Sequence, residues 1–539
     1  MWKKLSMMLL AAVFTVAAAS PALCQDKVSE LEKKINALEA QLNELKTILE
    51  EQKAAPAVEA PAEAAPETTP FTKLIGPGGT LQVGGDIRFR GLYYDNVWDF
   101  DTSNGDDQRD VIRFRPRVFL DWKPTDDIEA YVRMTKEWFY GQDNERPGYD
   151  VEGKDVMFDN AWGQWTDMFG LPLTLRIGRQ DLIYGDGFVI LDGTPQDGSQ
   201  TISFDAAKVT FAHDWGSTDL LYAKMAELDN EDADDEDLYG IYNKFKVDDW
   251  NLGLEPYFLV RNKNDAPDFS GVAPLPNPND PIYNPDGTIA GYHTWGVSYP
   301  YNPFDPSPKE ETYYLGMRAT YDFDIADGVN LGLAAEGGKQ WGKVDFTGSP
   351  LGGAFGGLYG YSRFDEDEVD RDAWGGQFHG ILTFKDAAWT PSVKAGVAYY
   401  SGDDPNTEDY EGWDDFYAQW PKYSELYVYS LYDGFKFGTK GNDVDVGMWS
   451  NMMIPEIMLT VKPTDRWTQS IRALYYLAEE DNGPGDGDER GINLQWLSNY
   501  VFTKNLSGHF LFEWFDPGDY YDDDADEALF TRFQIMYTF

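Results

Sequence analysis

The chain is nearly without cysteine. Its one example, Cys24, ends the stretch "MWKKLSMMLLAAVFTVAAASPALC". Lys3 and Lys4 open that stretch, residues 7–19 are almost wholly apolar, and the small residues Ala22 and Cys24 close it. This is the pattern of a secretory signal peptide over residues 1–24, with cleavage before Gln25. The apolar run is too short for a membrane anchor. A lipidated Cys24 fits less well, because Leu23 stands where a small residue is required. Without Cys24 the mature chain has no disulfide, no thiolate nucleophile and no Cys-based metal or haem site. Histidine is scarce as well. His213, His293, His379 and His509 lie far apart with no ligand spacing, so no metal site is expected.

Long apolar runs are also missing. After residue 24 no stretch of about 18 apolar residues occurs, which excludes helical membrane spans. Basic charge is in deficit, with 44 Lys and Arg against 93 Asp and Glu and a net charge of −49. That balance argues against nucleic acid as a partner.

Aromatics, by contrast, are abundant. Tyr, Phe and Trp make up 15% of the chain, although its mean hydropathy is only −0.50. A disordered acidic chain would be poor in them. High polarity with many aromatics suits a protein whose apolar residues cover one thin surface rather than fill a thick core.

Four regions follow from the pattern: 1–24, 25–53, 54–79 and 80–539. Residues 28–52 read "VSELEKKINALEAQLNELKTILEEQ". Val28, Leu31, Ile35, Leu38, Leu42, Leu45 and Leu49 recur at alternate steps of three and four, the a/d seam of a coiled coil. A lone helix of this length is marginal in water, so a homo-oligomer through 28–52 is expected, a trimer first among the options. "AAPAVEAPAEAAPETTP" then reads as a semi-rigid linker rich in Ala, Pro and Glu.

From about residue 80 the period becomes two. "LQVGGDIRFRGLYY" sets Leu81, Val83, Ile87 and Phe89 against Asp86, Arg88 and Arg90. "VIRFRPRVFLDW" sets Ile112, Phe114, Val118, Leu120 and Trp122 against Arg113, Arg115, Arg117 and Asp121. About eighteen such segments occur, each about as long as a tilted membrane strand needs. Short connections such as "HDWGST" and "KPTDRW" alternate with long polar ones near 142–159, 181–202, 265–310, 347–370, 403–445, 480–491 and 516–526. A compact soluble domain rarely carries such loops. An outer-membrane barrel has short periplasmic turns and long external loops. The fold class expected is therefore all-β, an antiparallel transmembrane barrel of about 18 strands preceded by a short helical coiled coil. The competing fold is a periplasmic sandwich or propeller, but no blade-length repeat is visible. The closing "FTRFQIMYTF" alternates apolar and polar residues up to Phe539. It fits a last strand that closes the barrel, with Tyr537 and Phe539 in an interfacial aromatic girdle.

Strand parity then assigns the lumen. Arg88, Arg90, Arg113, Arg115, Arg117, Arg133, Arg176, Arg318, Arg472 and Arg532 face inward, with Lys208, Lys244, Arg261 and Lys394. Acids of the same parity are fewer: Asp86, Asp121, Glu129, Glu255, Glu456 and Glu513. Rings of Arg and Lys in a narrow pore attract anions. Guanidinium also grips carboxylate with two parallel bonds, which suits an acidic sugar or organic acid. The alternative is that these groups pair with loop acids and only hold the barrel together. Pro116 cannot donate a ladder bond, so a bulge or bend is expected in the arginine-rich strand. Loop 265–310 or 403–445 is expected to fold into or over the pore.

The acidic charge concentrates in loops such as "DNEDADDED" and "DYYDDDAD". Oxygen-rich loops of this kind suit divalent cations or a cation bridge to lipopolysaccharide, although none has EF-hand spacing and a solvated face accounts for them equally. Apart from such cations no cofactor is expected. No Ser, His and acid constellation stands out.

The stretch "LTLRIGRQDLIYGDGFVILDGTPQDGSQTISFDAAKVTF" (173–211) resembles the alginate-export family of outer-membrane proteins. The matching positions are Gly178, Arg179, Gln180, Tyr184, Gly185, Asp186, Phe204, Asp205 and Ala206. The resemblance reaches more weakly over 80–539 and not over the coiled coil. It implies a monomeric 18-stranded barrel with an arginine-rich constriction that passes an anionic polysaccharide. The family often has a Trp in the segment before "FDA", and "DGTPQDGSQTIS" has none. The expectation is a passive, non-enzymatic channel in the Gram-negative outer membrane, in contact with lipid and lipopolysaccharide, passing anionic solutes or an acidic polysaccharide. A structural anchor gripping peptidoglycan or partner proteins through the coiled coil is the alternative, and a barrel enzyme is the third.

Overall fold

The computed structural model describes residues 71–539 apart from parts of the long connections, chiefly 140–155, 192–202, 227–235, 264–275, 284–288, 295–308, 346–367, 419–421 and 428–448. The expected signal peptide over 1–24, the expected coiled coil over 25–53 and linker residues 54–70 lie outside the described residues, as do most of the acidic loop tips.

Alternation of apolar and polar residues builds eighteen strands. They are β1 Gly79–Asp95, β2 Arg109–Lys123, β3 Ile128–Thr135, β4 Met157–Trp165, β5 Leu173–Gln180 and β6 Phe204–His213. Next come β7 Gly216–Ala226, β8 Glu236–Val247, β9 Leu252–Lys263, β10 Lys309–Ala326, β11 Val329–Asp345 and β12 Glu368–Phe384. The last six are β13 Ser392–Tyr400, β14 Met452–Thr464, β15 Trp467–Leu477, β16 Glu489–Thr503, β17 Leu506–Pro517 and β18 Ala528–Thr538. The sheet holds 20 segments, and two are not barrel strands: Trp138–Phe139 continues β3, and Phe71–Ile75 is a leader.

Each strand pairs antiparallel with the next, and β18 returns to β1 from Thr538 opposite Asp86 to Leu529 opposite Asp95. The barrel is closed, so no lateral edge is left to pair with another chain. Phe539 completes the seam, exchanging two backbone bonds of 3.0 Å with Gly85. The leader pairs antiparallel with Gly79–Val83 of β1. The opposite edge of β1 is taken by β2 from Thr80 onward, so the leader lies on the β18 edge and continues the ladder where Phe539 stops.

Short turns at one end include the two-residue links Asp327–Gly328 and Lys504–Asn505. Gly328 takes φ +69, a conformation that glycine adopts without steric cost. The long connections are all at the other end. Several strands exceed the expected length: β10 has 18 residues, and β11 and β12 have 17 each. A span needs about ten, so these strands project beyond the bilayer on the long-loop side.

Pro116 produces no bulge. Ile87 stands opposite Pro116 in an unbroken β1–β2 register. The interruption falls on the neighbour: Lys136 donates to the Pro116 carbonyl at 3.2 Å, and the reciprocal bond has no donor. β3 accordingly breaks at residues 136 and 137 before Trp138–Phe139 resumes in the same register.

The outer face is apolar. Ile87 and Phe89 on β1, Leu315 and Met317 on β10, Ile457 on β14 and Ile471 on β15 are all exposed. Tyr537 and Phe539 are exposed beside the short turns. Among the described residues no helix is long and apolar enough to cross a membrane. The strands themselves carry the lipid-facing surface.

Candidate functional site

The site is the inner wall and the loops folded against it. On β1 and β2 the register places Arg88 opposite Arg115, Arg90 opposite Arg113 and Asp86 opposite Arg117. Like charges directly opposite each other destabilise a sheet, so this patch needs acids from elsewhere. Asp86 takes Arg117 at 2.7 Å and Arg115 at 3.4 Å. Glu137, in the break that Pro116 causes, takes Arg113 at 2.8 Å and Arg88 at 3.1 Å. Arg90 donates twice to Gln534 of β18, at 3.0 and 2.7 Å. Arg532 donates to His509 at 2.9 Å and pairs with Glu425 from a loop.

The remaining arginines are spread around the wall. Arg133 bonds Asp159 at 2.8 Å and Asp181 at 3.3 Å. Arg176 donates to Gln164 at 2.9 and 2.6 Å and lies 3.9 Å from the Trp162 ring centre. Arg318 bridges Glu255 at 2.8 Å and Asp186 at 2.7 Å. Arg472 donates to Glu456 at 2.6 Å, and Lys394 approaches the same carboxylate at 2.5 Å. All ten arginines named from parity face inward. Their partners include lumenal acids that strand parity did not name, among them Glu137, Asp159, Asp181, Asp186 and Glu425.

Two loops supply several of those acids. Residues 181–191 leave β5 and turn inside. Tyr184 stacks on inward Tyr242 with centroids 4.0 Å apart. Gly185 has φ +59, and a Cβ there would meet the Glu336 carboxylate. The Asp186 N–H donates to that same Glu336 at 2.9 Å. The described residues of 401–427, which are 401–404, 406–418 and 422–427, follow β13 and also turn inside. Trp413 packs against Tyr314 of β10 and Phe188 of the first loop. Further on, Ser424 donates to Glu513 of β17 at 2.5 Å, and Glu425 reaches Arg532 of β18. This loop therefore crosses the lumen. The two loops are joined by backbone bonds, Tyr417 to Val189 at 3.0 Å and Leu191 to Tyr417 at 3.2 Å. Loop 403–445 thus folds inward over its described part. Of 265–308, the paired strands Pro276–Tyr283 and Ile289–Thr294 are the described part.

A buried ion cluster holds the second loop. Arg261 of β9 donates to Asp414 at 3.1 Å, and Arg371 of β12 lies 3.5 Å from it. Glu310 of β10 shares both arginines, with Arg371 at 2.7 Å. Burial works against ionisation of Asp414, but Arg261 and Arg371 hold its carboxyl well below the usual range. Lys422 donates to the Gly187 carbonyl at 3.4 Å, and burial pushes its ammonium down to about 8 despite nearby Glu336 and Asp186.

Between about pH 8 and the ordinary lysine range, the docked loop carries a neutral Lys422 while a released one is protonated. Docking therefore strengthens as pH rises through that window. The lumen also loses one positive charge. The ratio of anion to cation permeability is expected to fall further between pH 7 and 9 in wild type than in Lys422→Met, as read by reversal potential.

The motif residues divide. Gln180 is fully buried, donating to the Gly178 carbonyl at 3.1 Å and the Ala206 carbonyl at 3.0 Å. Phe204 packs on Tyr417. Tyr184, Gly185 and Asp186 fix the inner loop. Arg179 and Asp205 point the other way, pairing at 2.7 Å on the outer face. Among the described residues no group of three His, Cys, Asp or Glu suits a metal ion.

A closed barrel of eighteen strands with an apolar outer band, charged inner wall and inward-folded loops defines an outer-membrane, porin-like channel protein. The chain belongs to the alginate export family, whose model matches residues 80–534. Among solved structures it is similar to Pseudomonas aeruginosa OccK8 (OprE), at 12% identity over 85% of this chain and 98% of that one, with a TM-score of 0.48. OccK9 (OpdG) of the same organism gives 11% identity, 85% and 98% coverage and 0.48. Acinetobacter baumannii OccAB4 gives 9% identity, 86% and 98% coverage and 0.46. No curated protein matches.

Proposed function

We propose that this channel passes anionic solutes, acidic saccharides included, along the arginine wall of β1, β2 and β18. The observation that carries the reading is the placement of Arg88, Arg90, Arg113, Arg115, Arg117 and Arg532 on three adjacent strands, all inward. Guanidinium binds carboxylate through two parallel bonds, and among the described residues two acids, Asp86 and Glu137, are shared among four of these arginines. Family membership supports an acidic polysaccharide among the solutes.

The test is entry into liposomes of galacturonate against galactose, two sugars of similar size. The acidic sugar enters several times faster if the reading holds. Equal or slower entry overturns it. The loop that crosses the lumen favours a second reading, a structural anchor that grips peptidoglycan or partners through residues 28–52. Absence of any solute flux in the same liposomes would put that reading first.

A further inference from the structure

On the outer face, just beyond the aromatic residues, one register row carries charge across eight strands. Arg179 stands opposite Asp205, Asp205 opposite Lys224, and Lys224 opposite Asp237. The row passes Asn262 and continues with Glu311, Lys343 and Asp370, each opposite the next. Its residues point outward. The flanking Phe204, Ala223, Leu238, Thr312 and Val344 are buried on the inner side, while Asp205, Glu311, Lys343 and Asp370 are exposed. One step toward the turns, the same parity carries Ile177, Tyr222, Tyr239, Tyr313 and Trp341 in register. The Tyr222 hydroxyl donates up to Asp237 at 2.9 Å.

This order, aromatic then charged, fixes the depth of the wall in the membrane. A lysine or arginine facing hydrocarbon at midplane costs about 2–4 kcal/mol, and close to nothing at the interface. The row therefore lies where the hydrocarbon ends, on the long-loop side. In an outer membrane that side meets the outer leaflet. The row spans about 34 Å across seven strand gaps, room for more than one headgroup. Each lysine sits between two carboxylates, and the four acids outnumber the three bases. A phosphate alone would meet repulsion there. A phosphate accompanied by a divalent cation would not, because the bases meet the phosphate and the acids share the cation. The opposite arc differs. Near the external ends of β13–β18, Glu489 and Asp516 are exposed, and among the described residues no lysine or arginine faces outward there.

We propose that this outward row of β5–β12 binds the phosphorylated headgroups of the outer-leaflet glycolipid, bridged by divalent cations. The site lies on the wall, not on the acidic loop tips. It is independent of what the pore conducts.

The test uses the purified full-length barrel in detergent with magnesium, mixed with diphosphoryl lipid A or its dephosphorylated counterpart, and reads retained lipid by native mass spectrometry. Wild type should retain the diphosphoryl form roughly tenfold better. The preference should disappear in Lys224→Gln/Lys343→Gln and on chelation of magnesium. Both lysines face away from the lumen, so conductance should be unchanged in that variant. A second variant, Glu311→Gln/Asp370→Asn, should keep a phosphate preference but lose its magnesium dependence. No preference in wild type, or full preference in the lysine variant, overturns the proposal.

Discussion

Replacing Asp414 with alanine is expected to turn a quiet channel into a noisy one of higher conductance. Asp414 is the carboxylate through which loop 401–427 is tied to Arg261 and Arg371. Removing one member of a buried ionic cluster costs about 3–5 kcal/mol, here because Arg261 and Arg371 keep their charge with only Glu310 left to share. A loss of about 3 kcal/mol raises the population of the released loop roughly 150-fold. The first loop loses its backbone bonds to Tyr417 but keeps Tyr184 on Tyr242 and Asp186 on Arg318 and Glu336. Trp413, Phe416 and Tyr417 would then leave buried positions. Asp414→Asn keeps an acceptor for the Phe416 N–H, which is now bonded at 2.7 Å. It should fall between wild type and alanine. Single-channel recording checks the series, with heat-modifiable gel mobility confirming a folded barrel. Identical traces for all three proteins would mean that the ion cluster does not govern the loop.

The second large effect concerns ion preference. At about 10 Å and water-like dielectric, one charge shifts the energy of a monovalent ion by about 0.4 kcal/mol. Three charges give about 1.2 kcal/mol, and screening over one Debye length at 0.1 M leaves about a third of that. The shift has opposite sign for anion and cation, so the permeability ratio changes about fivefold. Arg113→Ala/Arg115→Ala/Arg117→Ala should therefore lower anion preference about fivefold at 0.1 M salt, and by less at 1 M. Asp86 would lose its pairs with Arg115 and Arg117, which lowers the preference further. No change in reversal potential would remove β2 from the selectivity wall.

Much of this architecture is legible from alternation alone. Period-two segments mark the eighteen strands, alternate connection lengths set which end faces out, and the final "FQIMYTF" marks the closing strand. Parity also places all ten wall arginines, since a strand turns successive residues to opposite faces. What alternation cannot show is a loop that turns back inside. Asp186, Asp414 and Glu425 belong to such loops, so the acids that neutralise much of the wall stay hidden from parity. Glu137 was within its reach, because Arg133, Thr135 and Glu137 share one face. Pro116 does disturb the sheet, but the disturbance falls on β3, because proline's missing donor faces that strand.

The motif at 178–206 shows a further limit. Read in sequence, Gly178, Arg179, Gln180, Tyr184, Gly185, Asp186, Phe204 and Asp205 look like one site. In the fold, Gln180, Tyr184, Gly185, Asp186 and Phe204 secure the inner loop. Arg179 and Asp205 cross to the lipid side, where their exposed pair begins the charged row. A single step along a strand separates the two destinations, and both strands leave the membrane at that point.

The central claim is that the inner wall favours anions although the chain carries a net charge of −49. The most direct measurement is the reversal potential of the wild-type protein in a planar bilayer under a KCl gradient. The account predicts the sign for chloride over potassium. A potential of the opposite sign would mean that the acidic loops set the field at the pore, and the anion-channel account would be wrong.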